Sequence, residues 1–193
     1  MSLSKRDYRV VSVPHKVAAP FIREHHYAKG CSNTAKVCFA LYRLSDGAIV
    51  GAAMWMLPPA GGVKKYGFGV RNMLSLSRLA VHPDVPCNGA SFLVGACIRR
   101  IARDMPEIMA LITFADEMQG HEGAIYRATN WRYEGQTAAS YRWVDQDGKL
   151  VSKYSTKTQR VATLDAKYRR VGPFKKHRFT LFRKGSKFTS QCS

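Results

Sequence analysis

Residues 75–102 read SLSRLAVHPDVPCNGASFLVGACIRRIA. Over 73–81, Leu74, Leu76, Arg78 and Ala80 alternate with Met73, Ser75, Ser77, Leu79 and Val81, the period of two that a strand requires. His82-Pro83 stops that strand. A short loop holding Gly89 follows, and then Phe92, Leu93, Ala96, Cys97, Ile98 and Ile101 recur at helical spacing, which predicts a helix over about 90–103. Strand, glycine-containing turn and helix in this order predict an α/β architecture.

The flanking segments extend it. After a polar start, 13–27 reads as an amphipathic helix with Val17, Ala18, Phe21 and Ile22 on one face, running into His25-His26-Tyr27 and breaking at Gly30. Segments 36–44 and 48–57, joined through Ser45-Asp46-Gly47, predict a β-hairpin. A Pro/Gly-rich loop occupies 58–69. Downstream, 108–115 is a near-continuous apolar strand of the fully buried kind. A short helix is expected over 120–130, and Trp131 opens another strand. Segments 138–144 and 149–153, with Asp145-Gln146-Asp147-Gly148 between them, predict a second hairpin.

The charge is unusual. With 31 Lys and Arg against 13 Asp and Glu, the formal net charge is +18, which predicts attraction to a polyanion. Between residues 153 and 187 the only acid is Asp165. The candidate nucleic-acid contacts there are Lys157, Arg160, Lys167, Arg169, Arg170, Lys175, Lys176 and Arg178, interleaved with Tyr168, Phe174, Phe179 and Phe182. Such a mixture neutralises phosphates while aromatic faces pack on the protein or stack on bases. The expected organisation is a catalytic domain over 1–153 and a basic, aromatic-containing extension over 154–193. Five cysteines without paired C-x-x-C spacing predict neither a disulfide framework nor a structural zinc site, and a reducing cytoplasmic setting fits them. No apolar run approaches the roughly 20 residues that span a bilayer.

The segment 75–102 resembles the cofactor segment of the GNAT family of acyl-CoA N-acyltransferases: an apolar strand ending in Val-x-Pro, a glycine loop, and a helix. The basic residue that usually begins the loop is missing from PCNGAS. A second segment, ITFADEMQGHEGAIYRATNWRYEG over 112–135, together with His25-His26-Tyr27 and Ser77-Arg78-Leu79, resembles the Mom family of bacteriophage DNA-modification proteins. The resemblance implies a mixed central sheet flanked by helices. It also implies acetyl-CoA as cofactor, with Leu79 and Val81 along the pantetheine arm. Asn88, Gly89, Ala90 and Ser91 would then lie at the pyrophosphate, where the unpaired amides and positive end of a helix suit an anion. The implied activity is modification of the N6 amine of adenine in double-stranded DNA, a carbamoylmethyl-type adduct that blocks host restriction. The residues that matter would be His26, Tyr27, Arg78, Asp116 and Tyr126. A metal ion is implied as an option, with His26 and Asp116 as candidate ligands.

Each residue has a plainer reading beside the functional one. The adenine amine needs an acceptor for its proton, and Asp116 at the end of a buried strand suits that role, or serves as a helix cap. Tyr126 either protonates a departing thiolate or is a core tyrosine. Arg78 in an apolar strand needs a partner, and an ion pair with Asp116 is one option. Trp55, Tyr66, Phe68 and Trp131 line a pocket for a flipped base or fill the core. An ordinary N-acetyltransferase for a protein, tRNA or small-molecule amine, and a non-catalytic DNA-binding protein on the same scaffold, are the competing classes.

Overall fold

The computed structural model describes residues 3–31, 33–151 and 159–191. Its elements are β1 (Tyr8–Val13), α1 (His15–His25), β2 (Ala35–Arg43), β3 (Ile49–Met56), α2 (Ala60–Val63), β4 (Met73–Val81), α3 (Gly89–Asp104), β5 (Ala110–Asp116), α4 (Ala124–Ala128), β6 (Arg132–Gln136), β7 (Ser140–Val144), α5 (Val161–Lys167), β8 (Arg169–Phe174), β9 (Lys176–Lys184) and β10 (Lys187–Thr189). The chain divides into two units. The first takes residues up to Phe114, then Gly123–Glu134 and the segment from Phe179 onward; the second takes Ala115–Glu122 and Gly135–Arg178.

The large sheet has the order β1-β2-β3-β4-β5-β9-β10, with β6 also paired to β9. Pairing from β1 through β4 is antiparallel, and β4 with β5 is parallel. The sequence of β3, IVGAAMWM, is apolar throughout, in keeping with its contacts to both α1 and α3. Ala18, Ala19, Phe21 and Ile22 of α1 pack on Cys38, Ala52, Met54 and Ala80. A second cluster joins Val63, Met73, Ala110, Ile112 and Phe182, with Tyr66 and Phe68 packed against it.

The structure revises four expectations. The polar start contains β1, whose buried Val10 and antiparallel register with β2 make it a sheet strand. The helix expected over 120–130 is confined to α4, because Gly120 and Gly123 both take left-handed backbone angles that interrupt it. The β7 strand pairs with β8; of the segment expected as its hairpin partner, Leu150 bridges to Val144 and the Val151 amide donates to the Trp143 carbonyl (2.9 Å), while residues 152 and 153 lie outside the described residues. The boundary expected at residue 153 does not hold either. The basic C-terminal third supplies β9 and β10 to the large sheet, and Phe179, Leu181 and Phe182 are core residues.

Arg183, which reads in sequence as one more cation of a basic tail, secures this arrangement. Its guanidinium donates to the carbonyls of Ala102 (3.0 Å), Met105 (2.8 Å) and Ile108 (2.5 Å), at and just beyond the end of α3. The Ala102 carbonyl belongs to the last turn of α3, which has no intrahelical donors left, and Met105 and Ile108 follow it. Arg183→Met keeps the aliphatic stem and removes the donor that these three carbonyls share, although Met105 still accepts the Ile108 amide. It should lower the unfolding free energy by roughly 2–3 kcal/mol in urea denaturation, with no change in the oligomeric state.

Candidate active site

Parallel pairing between β4 and β5 runs from Met73/Ala110 to Leu76/Thr113 and goes no further. Beyond that point β4 stays paired to β3 alone, and its other edge opens. The His82 amide donates to the Val50 carbonyl (2.8 Å), so alternate residues of the antiparallel pair face β3. Leu79 and Val81 fall in the other set: their N–H and C=O groups point away from β3, along the open edge.

A register shift marks the fork. Met54 pairs with Arg78 while Trp55 pairs with Leu76, leaving Ser77 as an extra residue. The Ser77 hydroxyl donates to the Met54 carbonyl (3.0 Å). Arg78 then donates through Nε to the Gly30 carbonyl and through Nη1 to the Ser77 carbonyl, both at 2.7 Å. Its charge is thus met by backbone oxygens, and it ties the loop after α1 to the bulge. The carboxylate partner envisaged for it, Asp116, pairs with Lys176 instead.

Tyr126 sits on α4, buried, with its ring against Trp131 (5.7 Å) and Phe179 (5.3 Å). Burial pushes its phenol pKa up, a hydrogen bond with Thr113 pulls the other way, and Tyr27 adds to the rise. The net direction is upward, so the phenol keeps its proton throughout the neutral range. Thr113 is the last residue of β5 paired to β4, and its hydroxyl donates to the Leu76 carbonyl (3.5 Å). The Tyr126 hydroxyl is therefore held at the apex of the fork. His26 caps the end of α1, is buried, and accepts the Ala28 amide at Nδ1 (3.1 Å), which leaves the ring proton on Nε2. Its ring lies 4.3 Å from that of Tyr27, which is 46% exposed.

The helix that follows β4 begins at a cleft of about 380 Å³. Asn88, Ser91, Phe92, Gly95, Ile98 and Arg99 line one wall, and Ala128, Thr129 and Asn130 line the other. Ala90 and Ser91 lie in the first turn, where amides have no intrahelical acceptor. The Asn88 side chain accepts the Leu3 amide (2.6 Å), and the Gly89 amide goes to the Pro86 carbonyl (2.8 Å). Sequence reading missed Gly95, Arg99 and Thr129-Asn130. The signal available was the spacing of Ser91, Gly95, Ile98 and Arg99, which puts them on one helix face.

Within the second unit, Asp116 caps the short 3-10 turn Glu117–Gln119 by accepting the Met118 amide at Oδ1 (3.3 Å), and its Oδ2 lies 2.6 Å from Lys176 Nζ. Lys157 lies outside the described residues. Arg160, Lys167, Arg169, Arg170 and Lys175 are exposed, Lys176 is paired with Asp116, and Arg178 is half-buried. Trp55 and Trp131 are both buried and stack at 6.3 Å, and Tyr66 and Phe68 pack toward Phe182, so all four take packing roles. Among the described residues no group of three or more His, Cys, Asp or Glu could hold a metal ion. Among the same residues no helix is long and apolar enough to cross a membrane.

The profile of the Mom protein family matches residues 7–189. The chain belongs to the Mom protein family. This Mom-family chain is 24% identical over 143 residues to the methylcarbamoylase Mom of Escherichia phage Mu, a match covering 72% of this chain and 58% of the phage Mu protein. Among solved structures, it resembles the ribosomal-protein-S5-alanine acetyltransferase of Vibrio fischeri, with a TM-score of 0.58, 9% identity, and coverage of 97% and 99% of the two chains. It also resembles a spermidine N-acetyltransferase variant from Vibrio cholerae, with a TM-score of 0.55, 6% identity, and coverage of 94% and 97%. The Mom-family chain therefore has the GNAT acetyltransferase fold.

One expectation from sequence changes its meaning. A Cβ on Gly89 would run into Val85 Cγ1 and press on Val81, so the glycine is demanded by packing between the loop and the helix start. Gly89→Ala should cost roughly 1–3 kcal/mol of stability through that overlap, read as a lowered melting temperature.

Proposed function

We propose that this Mom-family chain modifies the exocyclic amine of adenine in double-stranded DNA with a group drawn from acetyl-CoA, in the cytoplasm of a bacterial host. The observation that carries the reading is the fork between β4 and β5, with the protonated Tyr126 phenol at its apex and the α3 N-terminus beside it. An extended amide-bearing arm adds to the open edge of Leu79 and Val81 as a further strand would. The pyrophosphate suits the first-turn amides of Ala90 and Ser91, with Arg99 in the same cleft for a further phosphate.

In the simplest acyl transfer, acetyl-CoA would supply the acyl carbon to the adenine nitrogen and lose its thiolate. Tyr126 would supply the proton that a thiolate needs, and Asp116 is the proposed acceptor for the proton lost from nitrogen. A carbamoylmethyl adduct joins nitrogen to the methyl carbon instead, and reaching it from acetyl-CoA takes a two-electron oxidation and an ammonia equivalent. The two adducts differ in mass. The target base must leave the stack to be reached, which favours the exposed Tyr27 beside His26 as its first contact.

Mass analysis of nucleosides from DNA of expressing cells tests the reading. A new adenosine species supports it, whereas normal DNA with acetyl-CoA turnover on another amine sinks it. Ser91→Glu puts a carboxylate at the proposed pyrophosphate site and should weaken CoA binding at least ~10-fold by calorimetry, through like-charge repulsion. Asp116→Asn separates acceptor from cap, since Asn caps about as well as Asp. DNA affinity should stay within about threefold while modification falls at least ~100-fold. A variant that modifies DNA at the wild-type level would remove Asp116 from the chemistry.

A further inference from the structure

Within the second unit, β7 and β8 form a two-stranded antiparallel ribbon that is separate from the large sheet. Isolated ribbons of this size are marginal in water, so what holds this one together and what it displays both need a cause. Its apolar anchor is small: Val144 and, from α5, Leu164 are buried. The display is basic and aromatic. The register sets Trp143 opposite Arg170 and Val144 opposite Arg169. By strand alternation, Tyr141, Trp143 and Arg170 share one face, while Arg142 and Arg169 lie diagonally across the other.

Asp165 is the only acid between residues 153 and 187, and the one ribbon cation it pairs with is Arg170. It accepts the Trp143 indole N–H (2.8 Å) and lies 3.5 Å from the Arg170 guanidinium, so it fixes an aromatic ring and a cation in place. Arg170 in turn lies over the Tyr141 ring at 4.7 Å, and that ring is 45% exposed. The result is a rigid Arg–Tyr platform on one face, with Arg169 exposed and Arg142 half-exposed on the other. Arginine forks match phosphate oxygens in pairs, which a surface chosen only for solubility does not require.

Resting on the reading of DNA as substrate, we propose that the β7–β8 ribbon is the element that grips the duplex, lying in the major groove with Arg142, Arg169 and Arg170 on the flanking phosphates. The width of the B-form major groove admits a two-stranded ribbon, and the deep, narrow major groove of an A-form RNA duplex does not. The occupant is therefore double-stranded DNA.

The test uses the full chain and a fluorescent duplex of about 30 base pairs, with anisotropy measured across a salt series. Arg142→Gln with Arg169→Gln should weaken binding at least ~10-fold near 0.1 M salt. The slope of log affinity against log salt should fall by about 1.8, at ~0.9 per phosphate contact. The matched control, Lys5→Gln with Arg9→Gln, removes the same charge from exposed positions of the first unit and should stay within about twofold. Equal losses in both pairs would show diffuse attraction by net charge and overturn the proposal. Equal binding of an RNA duplex of the same sequence would overturn the groove placement. A ribbon variant with unchanged affinity that still modifies DNA would overturn the ribbon and leave the activity standing, whereas a wild-type chain that binds no duplex DNA would overturn both. Should the double variant lose its fold, Arg169→Gln alone, at an exposed position, should lower the slope by about 0.9, and an unchanged slope would be decisive against the ribbon.

Discussion

Parallel strands stay together only while their hydrogen-bond ladders stay in step, and those of β4 and β5 part after Leu76 and Thr113. The features of the first unit follow from that parting. The extra residue at Ser77 increases the local twist and turns β4 away, and the Ser77 hydroxyl and the Arg78 guanidinium meet carbonyls that the bulge leaves over. Past the bulge, β4 has one paired edge and one open edge. Backbone groups on an open edge lack the ladder partners that the rest of β4 has. Thr113 stands where the strands separate, which is why a side chain bonded to it, the Tyr126 phenol, is presented at that point.

Much of this was legible in the residues. The alternation over 73–81 and the helical stripe after Gly89 define β4 and α3 almost to the residue, since both patterns run long enough to outweigh their turns. The C-terminal third misled for a physical reason. In KHRFTLFRK the four residues Phe179 to Phe182 are buried in succession, but cations flank them on both sides and hide a central strand inside what reads as a basic tail. The second hairpin misled through its turn. Asp145 to Gly148 does form a tight turn, with the Lys149 amide on the Asp145 carboxylate, yet the longer pairing goes to β8, far along the chain. Local turn chemistry is visible in sequence, whereas a distant partner is not.

Of the candidate site, Tyr126 could be picked out by its place in the second motif, but the bond that orients it runs to Thr113, which nothing in the spacing singles out. Arg78 was correctly seen as a charge in need of partners, though its partners are main-chain oxygens that no sequence pattern can announce. Asp116 is engaged at both oxygens, by an amide and by Lys176. The face of α3 that holds Ser91, Gly95 and Arg99 is hard to read because Phe92 and Ile98, which count toward the apolar stripe, line the cleft, while the buried face is made by Leu93, Val94, Cys97 and Ile101.

The place of β9 in the sheet bears on how the chain is made. It lies directly beside β5, although some sixty residues separate the two in sequence, and it carries Arg183 to the end of α3. During synthesis β5 therefore waits with a bare, strongly apolar edge until β9 leaves the ribosome. Contacts that close so late slow folding, and they leave a nascent sheet edge open to pairing with other chains. A chain stopped after residue 152 would keep that edge permanently, and it would aggregate before its chemistry could be assayed.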